Sequence, residues 1–183
     1  MLRPVLLCAL ALSCSSLRAE VQVLPVQRQS GPVLVARVTE QIAAGDYEAL
    51  LKGLTAHPGR YTRKLLVLDN IGGSVSEAMR MGRLLRETGF DAVIPPEALC
   101  QGSCVYLLAA GRQRTVRGHV ALQRPFGGDG ESLQPNRQRL RQSPQAYLRQ
   151  MGVAPSLAAD IQRVEPGRLR LLSRRDLRRY RLD

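Results

Sequence analysis

The stretch over residues 65–128 constrains the fold of this chain most, because apolar runs alternate in it with short glycine-containing turns. It opens on the unbroken run LLVL, passes through the paired glycines of NIGG and continues into an amphipathic helical pattern. A tight CQGSC turn, a very apolar helical pattern and a strand pattern follow. Unbroken apolar runs are typical of strands covered on both faces. Strands that alternate with helices predict an α/β fold in a single domain.

The rest of the chain supplies further elements of the same kind. Residues 20–32 contain two prolines and a glycine and are predicted to form an extended lead-in. The predicted strands cover residues 33–38, 64–69, 91–94, 114–117 and 120–123. The predicted helices cover residues 46–54, 74–87, 104–110 and 136–150, with two short helices beginning near Ser156 and Ser173. A loop rich in glycine, aspartate and proline is predicted over residues 126–136.

Residues 1–19 have the pattern of a secretory signal peptide. The positive Arg3 precedes an apolar run over residues 5–12, and small residues follow at 13–19 up to the expected cleavage point. The apolar run is too short to span a bilayer as a permanent helix. Lipid attachment at Cys14 is the alternative, although the residues before it fit that pattern poorly. The sequence therefore predicts export to the periplasm.

The chain is strongly basic, with 27 lysines and arginines against 15 acidic residues and a formal net charge of +12. The arginines concentrate in residues 168–181. Such a surface predicts an acidic protein, an acidic peptide or an anionic membrane surface as partner, with simple solubility as the alternative. Export and the scarcity of aromatic residues near these arginines argue against nucleic acid.

Cys100 and Cys104 are the cysteines that remain after signal cleavage. A close even pair in an exported protein predicts a disulfide that fixes one turn, and two reduced buried thiols are the alternative. His57 and His119 are the only histidines, and neither stands at ligand spacing from the cysteines. The sequence therefore predicts no metal site, and no motif in it indicates a cofactor.

The paired glycines Gly72 and Gly73, the CQGSC turn and the LLAAG motif of residues 107–111 together carry a resemblance. In these motifs the chain resembles the ClpP peptidase family of the ClpP/crotonase superfold, and most of all the exported ClpP-like proteins of bacteria. The resemblance covers residues 33–183, with its specific part at 65–128. It implies a ClpP/crotonase-like spiral of β-β-α units and assembly into a homo-oligomer.

The same resemblance implies where a catalytic triad would lie. The nucleophilic serine, the histidine and the aspartate of the family fall on Gly102, Gln123 and Leu169. Glutamine cannot serve as a general base at neutral pH, and a serine nucleophile needs such a base within hydrogen-bond reach. The resemblance therefore favours a catalytically inactive serine-peptidase homologue that acts by binding or assembly, and leaves its enzymatic status open.

Ser103 is the fallback nucleophile and would need a base that the sequence does not identify. The other interpretation of Ser103 is a helix N-cap whose hydroxyl accepts a backbone hydrogen bond. The backbone N–H groups of Gly73 and Ser103 correspond to the oxyanion donors of the family. Because such donors depend on backbone shape alone, they could hold a carboxylate or a peptide carbonyl without cleaving it. Alternatively, the paired glycines serve only a tight turn.

Overall fold

The computed structural model describes residues 20–125 and 143–183, and the predicted signal peptide, Cys14 and the loop predicted over 126–136 lie outside them. These ranges contain eight strands and six helices. The strands are β1 Val21–Arg28, β2 Gly31–Ile42, β3 Arg63–Gly73, β4 Asp91–Ile94, β5 Leu99–Gln101, β6 Arg114–Val116, β7 His119–Gln123 and β8 Leu169–Leu171. The helices are α1 Asp46–Ala56, α2 Val75–Thr88, α3 Cys104–Ala110, α4 Pro144–Gln150, α5 Ser156–Gln162 and α6 Arg174–Tyr180.

All eight strands belong to one mixed sheet, which confirms the predicted α/β class. Its main path runs β1-β2-β3-β5-β7-β8, and β4 and β6 form a branch from β3. The inner pairs are parallel, whereas β1 with β2 and β7 with β8 are antiparallel. Parallel inner strands need crossover connections, which α1, α2 and α3 provide.

The branch point lies in the long strand β3. Its first half pairs with β4, where Leu65 to Val67 stand opposite Asp91 to Val93. Its far end pairs with β5 through Asn70 and Cys100. The chain therefore leaves the first ladder after β4 and enters a second ladder, β3–β5–β7, whose strand ends carry the motifs singled out in the sequence.

The core is mainly aliphatic, with a few buried tyrosines and one buried phenylalanine, and it lies between the sheet and the helices. Every residue of α3 is buried, including Tyr106. Tyr147 of α4 is fully buried, and its hydroxyl donates to the Tyr106 carbonyl at 2.8 Å. Gly82 of α2 lies against that hydroxyl, where any side chain would collide with it. The helices α2, α3 and α4 therefore pack closely around Gly82.

Two arginines tie the ends of α3 and α4 to the C-terminal segment. Arg86 and Arg114 both donate to the carbonyls of Ala109 and Met151, and Arg114 also donates to the Arg181 carbonyl. Burial, with the neighbouring Arg86 charge, lowers the pKa of the Arg114 guanidinium to about 10. These side chains satisfy carbonyls that the helix ends leave without donors.

The limits predicted for α1, α2 and α3 agree closely with the structure, whereas residues 136–142 of the helix predicted over 136–150 lie outside the described residues and α4 begins at Pro144. Ser74 caps α2 by accepting from the Glu77 N–H, and Gly89 ends it in the left-handed conformation. Ser173 and Asp176 form a reciprocal capping box at the start of α6. His57 is the C-terminal cap of α1.

Four features of the strands differ from the predictions. The lead-in over residues 20–32 contains a full strand, β1, which pairs with β2 and tolerates Pro25 because it lies at the sheet edge. The strands β5 and β8 were not predicted, because three residues are too few to show a period. Gly72 and Gly73 do not form a tight turn; they continue β3, with positive φ angles and a register shift opposite them.

None of the described helices is long and apolar enough to cross a membrane.

Candidate functional site

A cavity of about 450 Å³ opens where the second ladder ends. Its walls come from the end of β3, the start of α2, the CQGSC turn and the segment that leaves β7. The lining residues are Gln41, Ile71, Gly73, Ser74, Val75, Gln101, Gly102, Ser103, Gln123, Arg124 and Pro125. Among these, Arg124 is the only charged residue. The predicted oxyanion donors Gly73 and Ser103 thus line one cavity.

The paired glycines allow the end of β3 to touch the CQGSC turn. A Cβ on Gly72 would lie 2.9 Å from the Gln101 carbonyl oxygen and 3.1 Å from the Ser103 nitrogen. A Cβ on Gly73 would collide with the Ile42 carbonyl oxygen of β2. Both residues also have positive φ angles, of 92° and 130°. Only glycine at these two positions permits the close approach that shapes the cavity.

Asn70 holds this end of β3 in place, a role that the sequence analysis missed. It is 1% exposed, its Oδ1 accepts from the Gly72 N–H at 2.8 Å, and its Nδ2 donates to the Thr39 carbonyl at 3.2 Å. A polar residue directly after the run LLVLD, two places before a glycine, is the signal that could have indicated it. Asn70 therefore fixes the glycine pair from within the core.

The CQGSC turn is held by two bonds. Cys100 and Cys104 are joined in a disulfide, as predicted, and both are fully buried. The Gly102 N–H donates to the Ala121 carbonyl of β7 at 2.9 Å. The disulfide links the middle of β5 to the first residue of α3, and the hydrogen bond attaches the turn to β7. The peptide between Gly102 and Ser103 is therefore fixed relative to the cavity.

The three positions expected for a triad lie side by side. A Cβ on Gly102 would stand 3.7 Å from the Gln123 Cβ and 3.3 Å from the Gln123 Oε1. Gln123 is in turn the Cα partner of Leu169 in the β7–β8 ladder. Gln101 donates from Nε2 to the Gln123 Oε1 at 3.0 Å. The structure thus brings Gly102, Gln123 and Leu169 together in that order, with an amide at the centre.

Ser103 occupies the N-cap position of α3, but its hydroxyl makes no capping hydrogen bond, so that interpretation of the hydroxyl is wrong. Its backbone is already helical, with φ −68° and ψ −13°, whereas a capping side chain needs an extended backbone. Ser103 is 5% exposed, and its Oγ has no hydrogen-bond partner. Within residues 20–125 and 143–183, no acceptor takes a bond from its N–H either. Both groups are buried at the wall of the cavity.

Neither histidine contributes to the cavity. His57 donates from Nδ1 to the Gly53 carbonyl of α1 at 2.9 Å. His119 is exposed at the start of β7, where it pairs with Leu99, and lies four residues before Gln123. The described lining contains no carboxylate. No described group at this site can therefore take a proton from Ser103.

The electrostatic character of the cavity favours negative groups. Ser74 and Val75 place the start of the long helix α2 at its wall, and Arg124 adds a full positive charge. The Glu77 carboxylate in the first turn of α2 has its hydrogen-bond partners outside the cavity. It accepts from the backbone of α1 and from Arg80, and does not line the cavity. The Glu77 carboxylate therefore does not offset the positive character of this helix start.

Across the described ranges, no three histidine, cysteine, aspartate or glutamate side chains are grouped to hold a metal ion. No model of a known protein family matches the chain, and comparison with curated proteins finds no significant similarity.

Proposed function

We propose that this chain is an exported, catalytically inactive member of the ClpP/crotonase superfold that binds a carboxylate or a peptide carbonyl in the cavity. The observation that carries the proposal is the neighbourhood of Gly102, Gln123 and Leu169. These are the positions where the resemblance expects a triad, they are adjacent in the fold, and none has catalytic chemistry.

The loss of each component has a physical consequence. Glycine at 102 has no nucleophile, and glutamine at 123 can donate or accept a hydrogen bond but cannot remove a proton. Leucine at 169 cannot orient or stabilise an imidazolium. The Gln123 Oε1 already accepts a hydrogen bond from the Gln101 amide, so the Gln123 Nε2 remains as a donor. The centre of the site therefore donates hydrogen bonds where a peptidase would accept a proton.

The donors that remain suit a negative or partly negative oxygen. The Ser103 N–H and hydroxyl lack partners in the described structure, and Arg124 provides charge at the rim. An unsatisfied buried polar group costs about 1–3 kcal/mol, and a ligand oxygen that accepted these bonds would recover that cost. Ile71, Val75 and Pro125 give the cavity an apolar side for the rest of the ligand.

The periplasmic location is supported by the disulfide and by the signal-like start of the chain. Disulfides such as Cys100–Cys104 persist in oxidising compartments.

A serine hydrolase that uses Ser103 is the second candidate. The observation in its favour is the same unpaired hydroxyl, which a substrate carbonyl could approach. It requires a base from outside the described lining, and for this reason it ranks second.

One pair of measurements separates the two functions. Mature protein is incubated with a fluorophosphonate probe, and thermal unfolding is followed with N-acetyl-dialanine or its C-terminal amide. If the protein only binds, the probe should not label it, and N-acetyl-dialanine should raise its unfolding temperature. The Ser103→Ala variant should lose this stabilisation by the peptide. The matched control is Ser156→Ala, an exposed serine of α5, which should bind like the parent. Covalent labelling that disappears in Ser103→Ala would establish the hydrolase and reject the inactive protein.

A further inference from the structure

Strand β8 forms an exposed edge of the sheet with an unusual composition. Within the described ranges it pairs with β7 alone and ends the main path of the sheet. Leu169 and Leu171 are 50% and 64% exposed and lie on the same face of the strand, so together they form an exposed apolar patch. Natural sheets commonly protect such edges against pairing with other chains. The exposed leucines therefore require an explanation.

The register shows which backbone groups of β8 face outward. The Leu172 N–H donates to the Val120 carbonyl at 2.9 Å, so Leu172 faces β7. Residues of an antiparallel strand alternate in direction, so Arg170 faces β7 as well, opposite Leu122. Leu169 and Leu171 consequently direct their N–H and C=O groups away from the sheet. Among residues 20–125 and 143–183 no strand pairs with these groups, and they form the edge that another strand would use.

The surroundings of this edge are basic. A groove of about 200 Å³ beside Leu169 is lined by Arg163, Arg168 and Arg170. The side chain of Arg168 is 79% exposed, and its nearest acid, the equally exposed Glu165, is 4.0 Å away, a geometry worth little energy.

Asp160 is the other acid of the groove, and its charge is already committed. It accepts from the buried Tyr180 hydroxyl at 2.5 Å and from Arg163 at 2.6 Å. Residues 168–181 contain seven arginines and one acid in total. That acid, Asp176, lies 3.6 Å from Arg170, so the positive charge of this segment is only partly compensated and the edge lies in a positive field.

We infer that β8 is a docking edge for an extended acidic segment of a partner protein, which adds to the sheet as a further strand. The partner's backbone pairs with Leu169 and Leu171, its apolar side chains cover these leucines, and its carboxylates reach Arg168. This surface is separate from the cavity and would operate whether or not the cavity binds a ligand.

The charge and the backbone geometry together select this occupant. A second copy of the chain would place Arg168 and Arg170 near their own equivalents, and like charges across a strand pair are destabilising. An anionic membrane would satisfy the arginines but has no groups to pair with the backbone edge. An acidic strand satisfies both features.

Peptide binding to the purified mature chain tests the inference. The probe is a fluorescein-labelled ten-residue peptide that alternates valine with glutamate, and binding is followed by anisotropy at two salt concentrations. One comparison peptide replaces glutamate with lysine, and another keeps the charge but carries prolines that cannot donate to a strand edge. Only the acidic peptide without prolines should bind, and high salt should weaken it.

Two variants report on the two parts of the edge. Leu171→Pro removes one outward N–H while leaving the groups that face β7, and Arg168→Glu reverses one exposed charge. Each should weaken peptide binding about tenfold, the effect of losing a good hydrogen bond or charge contact. Arg28→Glu, at the opposite sheet edge, is the matched control and should bind nearly as the parent does. Circular dichroism verifies that Leu171→Pro is folded, and Leu171→Ala, which keeps the N–H, provides a second comparison.

Three outcomes would overturn the inference. One is equal binding of the proline-containing peptide, which would show that the backbone edge is not used. Another is that the chain binds phosphatidylglycerol vesicles and not the peptide, and that Arg168→Glu abolishes the vesicle binding. The last is concentration-dependent dimerisation that Leu171→Pro abolishes in the absence of peptide, which would assign the edge to a second copy.

Discussion

Gln123 faces Gly102 across the ladder end, with its Cβ 3.7 Å from the point where a Cβ on Gly102 would stand. That separation equals the Cβ–Cβ distance of an ordinary disulfide. The two positions lie on different elements, the turn before α3 and the last residue of β7, and 20 other residues separate them in the chain. Their contact defines the centre of the cavity, and a covalent link can test it.

The double variant Gly102→Cys with Gln123→Cys should form a second disulfide. The left-handed backbone at Gly102, with φ 56°, adds a strain of roughly 1–2 kcal/mol for a side chain there, which the folded protein should tolerate. Peptide mapping by mass spectrometry under non-reducing conditions would identify the cross-linked fragment. The control pair is Gly102→Cys with His119→Cys. His119 lies four strand residues from Gln123, roughly 13 Å along β7, which places it too far from Gly102 for a disulfide. Free thiols in the first pair would contradict the arrangement of β5 and β7.

Ser103→Ala should make the protein more stable while it weakens ligand binding. The Ser103 hydroxyl is buried without a partner, so its removal should raise the free energy of unfolding by about 1 kcal/mol. Ser74→Ala is the matched comparison, because the Ser74 hydroxyl caps α2 and its loss should cost about 1 kcal/mol. Urea unfolding of the two variants should therefore give shifts of opposite sign. A destabilised Ser103→Ala variant would mean that its hydroxyl has a partner in solution.

The helices of this fold could be predicted from the sequence because their signals are local. Ser74 and Gly89 delimit α2, and the reciprocal pair Ser173 and Asp176 begins α6. The short strands could not be predicted, because three residues show no period and become a strand only through their partners. Leu169 illustrates the difference, since it forms a strand by pairing with Gln123.

The candidate site was predictable only in part, for a related reason. Spacing along the chain indicated the paired glycines and the disulfide, which are local features. The neighbourhood of Gly102 and Gln123 is a tertiary contact that the residues alone could not indicate, and only the resemblance implied it. The hydroxyl of Ser103 was assigned wrongly because capping depends on its own backbone angles, which are helical here. Asn70 was missed because its partners lie on two segments.

Removal of the disulfide should affect the cavity more than the fold. The loop between Cys100 and Cys104 is short, so Cys100→Ala with Cys104→Ala should lower the free energy of unfolding by only about 2 kcal/mol. Binding of N-acetyl-dialanine should fall more strongly, because the bond fixes the turn that presents the Ser103 N–H. Urea unfolding and calorimetry on the same variant would separate the two effects. Ligand affinity equal to that of the parent would show that the turn keeps its shape without the bond.

The stability contributed by Tyr180 should depend on pH. Its buried hydroxyl donates to Asp160 and, with help from Arg163 and Arg179, lowers the pKa of that carboxyl below its ordinary value. A carboxyl with a lowered pKa stabilises the folded state above the unfolded pKa of about 3.9, and this contribution disappears as the pH falls through the folded value.

Tyr180→Phe should therefore lower the free energy of unfolding by about 1.5–3 kcal/mol at pH 7, the range for a hydrogen bond to a charged group, and by clearly less at pH 3. Tyr61→Phe is the matched control, because the Tyr61 hydroxyl donates to the neutral His57 carbonyl at 3.1 Å. Its smaller effect should be the same at both pH values. Urea unfolding of both variants at pH 7 and pH 3 supplies the comparison. A Tyr180→Phe deficit that stays constant with pH would show that the Asp160 carboxylate does not depend on this hydrogen bond.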